Sequence, residues 1–186
     1  MKDEFFILGL DVSTSVVGVT ILNQNFDVIL MTHVNLGKIK EFWAKVDHIH
    51  NEIEKLFSNY QITETYIEEP ANRFSAGMSS SHTINTLIKF NALVSWKVRS
   101  VSKEPHHVTA AEARKKCGMV LHRVSKVGIS HKQQVFDQIT GKGGLLQNVT
   151  IPRTKTGKVD QTFYDEIDSY VIARTGVLVH KAQHTK

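Results

Sequence analysis

The fold of this chain is decided by the stretch Phe5-Phe6-Ile7-Leu8-Gly9-Leu10-Asp11, an apolar run that ends in a carboxylate. Such a run predicts a buried strand, and Gly9 within it indicates close approach by another backbone. A second short apolar run, Thr65-Tyr66-Ile67-Glu68, also ends in a carboxylate. If the two runs form adjacent parallel strands, Asp11 and Glu68 meet at the carboxyl ends, where open α/β sheets keep their binding crevices.

Two further acids, Asp165 and Asp168, lie three residues apart in a segment of helical period. That spacing places both side chains on one face of a helix. Taken alone, the pair is better explained as an exposed polar turn near a helix start, where acids suit the helix dipole. Together with Asp11 and Glu68, however, it predicts clustered carboxylates that repel one another and need hard divalent cations.

Composition is that of a globular protein, with 41% hydrophobic and 22% charged residues among 186. We therefore expect a single domain over residues 1–186. No apolar stretch approaches the ~18–20 residues that span a bilayer, and the acidic start lacks the pattern of a secretory signal. Cys117 is the only cysteine, which excludes an intramolecular disulfide and favours a reducing compartment. These features predict a cytoplasmic protein, with an organelle as the alternative.

Charge is distributed unevenly along the chain. The net charge is +5, yet residues 97–158 contain 13 Lys and Arg against 3 Asp and Glu. The remainder of the chain is therefore net negative. This asymmetry is typical either of a basic surface for nucleic acid or of a solvated lysine-rich face. A carboxylate metal site favours the first, because metal-assisted chemistry on phosphate needs both parts.

The order of the predicted elements indicates the fold class. Three strands joined by short turns form an antiparallel meander, and a helix then allows a parallel crossover to a fourth strand beside the first. A second helix, a brief fifth strand and three more helices follow. The predicted strands are 4–12, 16–22, 26–34, 65–69 and 107–109, and the predicted helices are 38–57, one ending near 99, 110–117, 130–139 and 163–180. This order is that of the ribonuclease H-like α/β fold, with a mixed five-stranded sheet of order 3-2-1-4-5, antiparallel strand 2 and flanking helices.

The motifs at these positions resemble those of the RuvC family of Holliday junction resolvases. The resemblance covers about Phe5 to Arg174 and rests on short motifs that are weak singly and stronger in combination. They are Ile7-Leu8-Gly9-Leu10-Asp11, Gly18, Ile67-Glu68-Glu69 and Asp165-Glu166-Ile167-Asp168.

The resemblance implies a metal-dependent endonuclease that cuts paired strands of branched DNA, four-way junctions above all, as a homodimer. It also implies that Asp11, Glu68, Asp165 and Asp168 are catalytic and bind two Mg²⁺ ions, with Mn²⁺ as a plausible substitute. Only one of Glu68 and Glu69 can face the crevice, because side chains alternate along a strand. The family pattern favours Glu68.

DNA contacts are expected from three regions. Arg73 and Phe74 follow the fourth strand, where the family places an aromatic wedge near the crossover, although a buried Phe is nearly as plausible. Lys132 resembles the family's lysine that contacts the scissile phosphate. The basic residues expected to position the phosphate backbone are Lys115, Lys116, Arg123 and Lys126.

The chain departs from the family pattern in two places. Bacterial members commonly follow the first acid with Pro-Gly, whereas this chain has Val12-Ser13-Thr14-Ser15, which is closer to the phage-borne branch. A basic loop insertion at about 141–162 is longer than the usual connection. We hypothesise that Arg153, Lys155 and Lys158 within it grip a junction arm; a merely disordered loop is the alternative.

Other functions compete with this prediction. Sugar-kinase-like ATPases share the fold and a Thr/Ser-rich turn after the first acid, but they need two such domains. A non-catalytic nucleic-acid-binding scaffold fits poorly with four acids. A ribonuclease H-type nuclease acting on RNA–DNA hybrids is the closest alternative.

Overall fold

The computed structural model describes residues 4–70, 81–146 and 149–184. Arg73 and Phe74, predicted to contact DNA, lie outside the described residues. Within this part of the chain the strands are β1 Phe6–Val12, β2 Val16–Asn23, β3 Val28–Asn35, β4 Glu64–Glu68 and β5 His106–Val108. The helices are α1 Phe42–Asn59, α2 Ser81–Val101, α3 Ala110–Lys116, α4 Val124–Val127, α5 His131–Thr140 and α6 Gln161–His184.

The five strands form one mixed sheet of order β3-β2-β1-β4-β5. β2 pairs antiparallel with both β1 and β3, whereas β4 pairs parallel with β1 and β5. The predicted strand order and directions are confirmed. The central strand β1 therefore has β4 beside it, pointing the same way.

Each face of the sheet is covered by its own helices. Even-numbered residues of β1, such as Leu8 and Leu10, pack with Val46 and Ile53 of α1 and with Val94 of α2. Odd-numbered positions face α6, because side chains alternate along a strand. Two hydrophobic clusters result, one on either side of the sheet. Asp11 is an odd-numbered residue of β1 and so lies on the α6 face.

Helix α6 packs against the sheet with almost no side chain between the backbones. A Cβ atom at Gly18 of β2 would overlap the carbonyl oxygen of Asp165, and one at Gly9 of β1 would overlap the backbone of Ala173. A buried hydrogen bond of 2.8 Å between the hydroxyls of Thr20 and Ser169 joins the same surfaces. The close approach inferred from Gly9 is therefore made by α6.

Several boundaries differ from the sequence prediction. Helix α1 begins at Phe42 rather than near residue 38, because Ile39 N–H donates to Leu36 O in a turn and Glu41 is extended. Helix α6 begins two residues earlier than predicted, where Asp160 accepts hydrogen bonds from the backbone N–H and hydroxyl of Thr162. The four-residue helix α4 was not predicted. Its four residues are too few to give a periodic signal.

Two predicted helix starts are confirmed by their side-chain caps. Thr109 caps α3 in a capping box with Glu112, and Ser130 Oγ accepts from Gln133 N–H at α5. None of the helices in the described ranges is both long enough and apolar enough to cross a bilayer.

The close contact of α6 with the sheet generates a prediction for Gly18→Ala. The added methyl group meets backbone rather than a flexible side chain, so α6 must shift, at a cost of roughly 1–3 kcal/mol in the free energy of unfolding. Urea unfolding measures this cost. Gly37→Ala is the control, because the nearest atom to its Cβ is the Asn35 side-chain oxygen at 3.3 Å. Equal stability of the two variants would contradict the packing described.

Candidate active site

Strands β1 and β4 bring the first two acids side by side. Leu10 of β1 is in register with Ile67 of the parallel strand β4. Asp11 and Glu68 each follow that pair by one residue, so both lie at the carboxyl edge of the sheet. The charge of Glu68 acts directly on Asp11. The structure thus places together two residues that are 57 positions apart in sequence.

Helix α6 brings the other two acids to the same point. Gly18 is the β2 partner of Asp11 and also the residue on which the backbone of Asp165 rests. Asp165 and Asp168 lie one turn apart on α6, and the charges of both act on Asp11. All four predicted catalytic acids therefore come together on the α6 face of the sheet.

Two neighbouring acids stay outside this cluster. Glu69 is exposed and lines a surface cavity with Ile88 and Asn91 of α2, on the opposite face of the sheet. Glu166 lies within 2.6 Å of the His33 ring on β3. These positions follow from the alternation of a strand and from the 100° step of a helix.

Burial and mutual repulsion make the cluster electrostatically costly. Burial, followed by the charges of Glu68, Asp168 and Asp165, raises the pKa of Asp11 well above its usual value. Burial and the charge of Asp168 raise the pKa of Glu68 to about 7. Burial likewise raises the pKa of Asp168. Without cations the site therefore retains protons on some of these carboxyl groups near neutral pH, and a bound cation would favour their ionised forms.

Two basic side chains partly compensate this charge. Lys132 Nζ, from α5, donates a 2.7 Å hydrogen bond to Asp165 Oδ1, and Arg114 Nη2, from α3, lies 3.8 Å from Asp168 Oδ1. Burial alone would lower the pKa of Lys132, but its hydrogen bond to Asp165 and the surrounding negative charges raise it. The ring of Tyr164 lies 5.6 Å from the same ammonium group. Lys132 is therefore a charged member of the site.

Arg114 is a site residue that the sequence analysis missed. The sequence pattern pointed instead to Lys115 and Lys116 as DNA contacts, and the structure leaves both side chains exposed. The sequence signal that could have located Arg114 is the apolar face of α3, which packs on α6. On this face Ala113 is buried and the Cys117 thiol donates to Val171 O of α6. Arg114 directly follows Ala113 and so flanks the face that packs on α6.

Cys117 has a structural environment. Its thiol lies 3.6 Å from both Val171 O and Thr175 Oγ1, and burial raises its pKa. A thiol with a raised pKa is a poor nucleophile at neutral pH.

The remaining predicted DNA contacts are all exposed basic side chains on the described part of the chain. These residues are Lys115, Lys116, Arg123, Lys126, Arg153, Lys155 and Lys158. Arg153 also donates to Gly157 O at 2.8 Å and pairs in an isolated bridge with Val159, which orders this part of the 141–162 loop.

The four acids are of the right ligand type for a divalent metal, but the structure does not arrange three of them around one ion. Carboxylate oxygens are the ligands that Mg²⁺ prefers, and their repulsion provides the driving force for binding a cation. Among residues 4–70, 81–146 and 149–184, however, no three His, Cys, Asp or Glu side chains are arranged to hold one ion. Asp165 and Asp168 instead face Lys132 and Arg114. Ion binding therefore requires these side chains to rearrange.

The raised pKa of Glu68 predicts how stability depends on pH without metal. Because its pKa is about 7 in the folded protein against 4.5 ordinarily, the folded state binds more protons in this range. Stability is therefore greatest below pH 4.5 for this group and falls as the pH rises through 7, by at most roughly 3 kcal/mol. Urea unfolding in a chelator at several pH values measures the loss.

Glu68→Gln should reduce this pH dependence, because the amide does not ionise. Glu69→Gln, on the exposed opposite face, should retain it. Two results together would show that Glu68 is not in a buried acidic cluster. The wild-type protein would gain stability between pH 5 and pH 7, and Glu68→Gln would show the same dependence of stability on pH.

Comparison with known proteins identifies the fold. No protein-family model and no curated protein matches the sequence. Among solved structures, RuvC of Thermus thermophilus in complex with a Holliday junction substrate has a TM-score of 0.64 at 11% identity, covering 96% of both chains. A second RuvC structure from that organism has a TM-score of 0.64 at 12% identity, covering 96% of this chain and 97% of the other.

The yeast mitochondrial Holliday junction resolvase Ydc2 has a TM-score of 0.57 at 15% identity, covering 95% of this chain and 81% of its own. Identities this low establish shared architecture only. The chain therefore has the ribonuclease H-like fold of the RuvC-type resolvases over nearly its full length.

Proposed function

We propose that this protein is a metal-dependent endonuclease that resolves Holliday junctions by paired phosphodiester hydrolysis. The observation that carries the proposal is the clustering of four partly buried carboxylates, from β1, β4 and α6, at one edge of a RuvC-like fold. Since fold alone does not determine function, the proposal rests on this site, on the two basic side chains that contact it and on the exposed basic residues of the chain.

Asp11, Glu68, Asp165 and Asp168 are the residues that would hold the metal. Mg²⁺ is the proposed ion, with Mn²⁺ as a substitute. Two such ions, when bound, lower the pKa of an attacking water and offset charge on the leaving oxygen. Without a bound ion, the positive charges of Lys132 and Arg114 partly neutralise the carboxylates of the cluster.

Lys132 is proposed to contact the phosphate that is cut. Its ammonium group is held at the cluster by Asp165, yet the side chain keeps 39% exposure, so a phosphate oxygen can reach it. An ammonium group binds phosphate as a compact point charge. If Asp165 held a metal ion, Lys132 would be available to a phosphate of the DNA.

The exposed basic residues are proposed to follow the DNA backbone. Lys115, Lys116, Arg123 and Lys126 lie on and between α3 and α4, next to the helices that carry Arg114 and Lys132. Arg153, Lys155 and Lys158 would contact an arm of the junction. Such contacts fix orientation and carry no sequence information themselves. The roles of Arg73 and Phe74 stay predictions from sequence.

Two active sites are needed for two symmetric cuts, so we propose a homodimer. Residues 1–186 are proposed to form one nuclease domain in each subunit. Its relation to phage-borne resolvases rests on Val12-Ser13-Thr14-Ser15 alone. A cytoplasmic location remains part of the proposal.

Cleavage of branched DNA tests the proposed function directly. Wild type with Mg²⁺ is expected to cut a four-way junction faster than a flap, a plain duplex or an RNA–DNA hybrid. Asp11→Asn should lower the single-turnover cleavage rate by about a thousandfold or more, since loss of a central ligand removes several kcal/mol of charge stabilisation.

The matched control is the pair Glu68→Gln and Glu69→Gln, two neighbours on opposite faces of the sheet. Only the first should impair cleavage. Preference for the hybrid would support the ribonuclease H-type alternative. Full activity of Asp11→Asn would refute the assigned site.

Lys132→Met separates metal binding from catalysis. Because Lys132 competes for Asp165 and its positive charge, which acts on Asp11, Glu68 and Asp168, repels a cation, its loss should strengthen Mn²⁺ binding at pH 8 by about fivefold or more. Cleavage should nevertheless fall by about tenfold or more, because a charged contact to the phosphate is lost. Calorimetry and single-turnover kinetics measure the two effects.

Lys126→Met is the control for this experiment, because Lys126 is exposed on α4 and is not among the charges that act on Asp11. It should leave Mn²⁺ affinity unchanged. Weaker Mn²⁺ binding by Lys132→Met would mean that the lysine does not compete with the ion.

A further inference from the structure

Residues 119–129 form a surface segment, here called the apolar segment, that exposes branched side chains between α3 and α5. Val120 is 64% exposed, Val124 44%, Val127 37% and Ile129 42%. Single exposed apolar residues are common, but four within ten residues form a patch that marks an interaction surface.

The backbone of the apolar segment is fixed to α5 by two glutamines. Gln134 is buried; its side chain accepts from His122 N–H at 2.7 Å and donates to His122 O and Ile129 O at 3.0 and 2.9 Å. Gln138, one turn later, accepts from Val120 N–H at 3.1 Å and donates to Val120 O at 2.8 Å. The valines and the isoleucine are therefore displayed from an ordered backbone.

The apolar segment is continuous with the candidate active site. Helix α3, which precedes it, carries Arg114 beside Asp168. Helix α5, which follows it and holds its backbone, carries Lys132 bonded to Asp165. The helices on both sides of the segment therefore reach the acid cluster.

The charge around the apolar segment identifies the kind of partner. The 24 residues between Glu112 and Asp137 contain six Lys and Arg and no Asp or Glu. An apolar patch surrounded by one sign of charge suits a polyanion that also has nonpolar surface. Nucleic acid has both, because its sugars and base faces are nonpolar between charged phosphates.

We propose that Val124, Val127 and Ile129 pack against sugar and base surface of the DNA beside the cut strand, while the neighbouring basic residues hold its phosphates. Apolar side chains that enter a groove can unstack and bend DNA. The proposal rests on the proposed function. It adds a nonpolar contact through which the protein distinguishes a four-way junction from a plain duplex.

The test is a triple variant, Val124→Thr, Val127→Thr and Ile129→Thr, which keeps side-chain branching and removes apolar surface. Equilibrium binding to a fluorescent four-way junction is measured without added metal over a range of salt concentrations. Affinity should fall by about tenfold or more. The slope of log affinity against log salt should stay unchanged, because the phosphate contacts remain. By contrast, Lys126→Gln should make that slope shallower by about one.

The control is the double variant Val28→Thr and Ile29→Thr on the edge strand β3, where these side chains are 38% and 40% exposed. It should bind like wild type. Val124→Thr alone, with an unchanged urea unfolding midpoint, should show a smaller loss of the same kind and so excludes misfolding as the cause.

The outcomes distinguish this inference from the proposed function. Wild-type binding that is no tighter to the junction than to a plain duplex would overturn both. If wild type prefers the junction and the triple variant binds equally well, the inference alone is wrong and the segment serves another partner. A changed salt slope in the triple variant would also overturn it, because the apolar residues would then act only by placing the basic ones.

Discussion

The direct contact between the backbone of α6 and the central strands is the constraint on which the rest of the structure depends. Glycines at positions 9 and 18 of the sheet leave no side chain between the two surfaces. Further along α6, Gly176 lets the side chains of Tyr66 and Ile7 pack against the helix backbone, because a Cβ there would overlap both. Because α6 lies so close, its acids reach the carboxyl edge of β1 and β4. Larger residues at these positions would separate the helix pair of acids from the strand pair.

The contact has an electrostatic consequence that links fold to chemistry. Burying several carboxylates together costs free energy, which appears as the raised pKa values of Asp11, Glu68 and Asp168. Lys132 and Arg114 reduce that cost in the structure, and divalent ions would reduce it further. A site that is costly without cations is therefore suited to bind them, and the exposed basic residues of the chain can attract a phosphate backbone.

Sequence reasoning recovered the sheet and the four acids because both have local signals. Apolar runs that end in Asp11 and Glu68 gave the strands, and the spacing of Asp165 and Asp168 gave their shared helix face. Arg114 was missed because its role depends on how α3 packs on α6. The apolar segment was missed because its conformation depends on hydrogen bonds from Gln134 and Gln138, which pattern analysis does not reveal. The start of α1 was misplaced because tertiary contacts of Leu36 extend the preceding chain.

The central claim is that acids from distant parts of the chain form one two-ion centre. The most direct measurement is anomalous diffraction from crystals of the protein grown with Mn²⁺. The account predicts two adjacent manganese peaks bound by Asp11, Glu68, Asp165 and Asp168, with Lys132 moved away from Asp165. No manganese among these four residues, at saturating Mn²⁺ and a pH above 7, would contradict it.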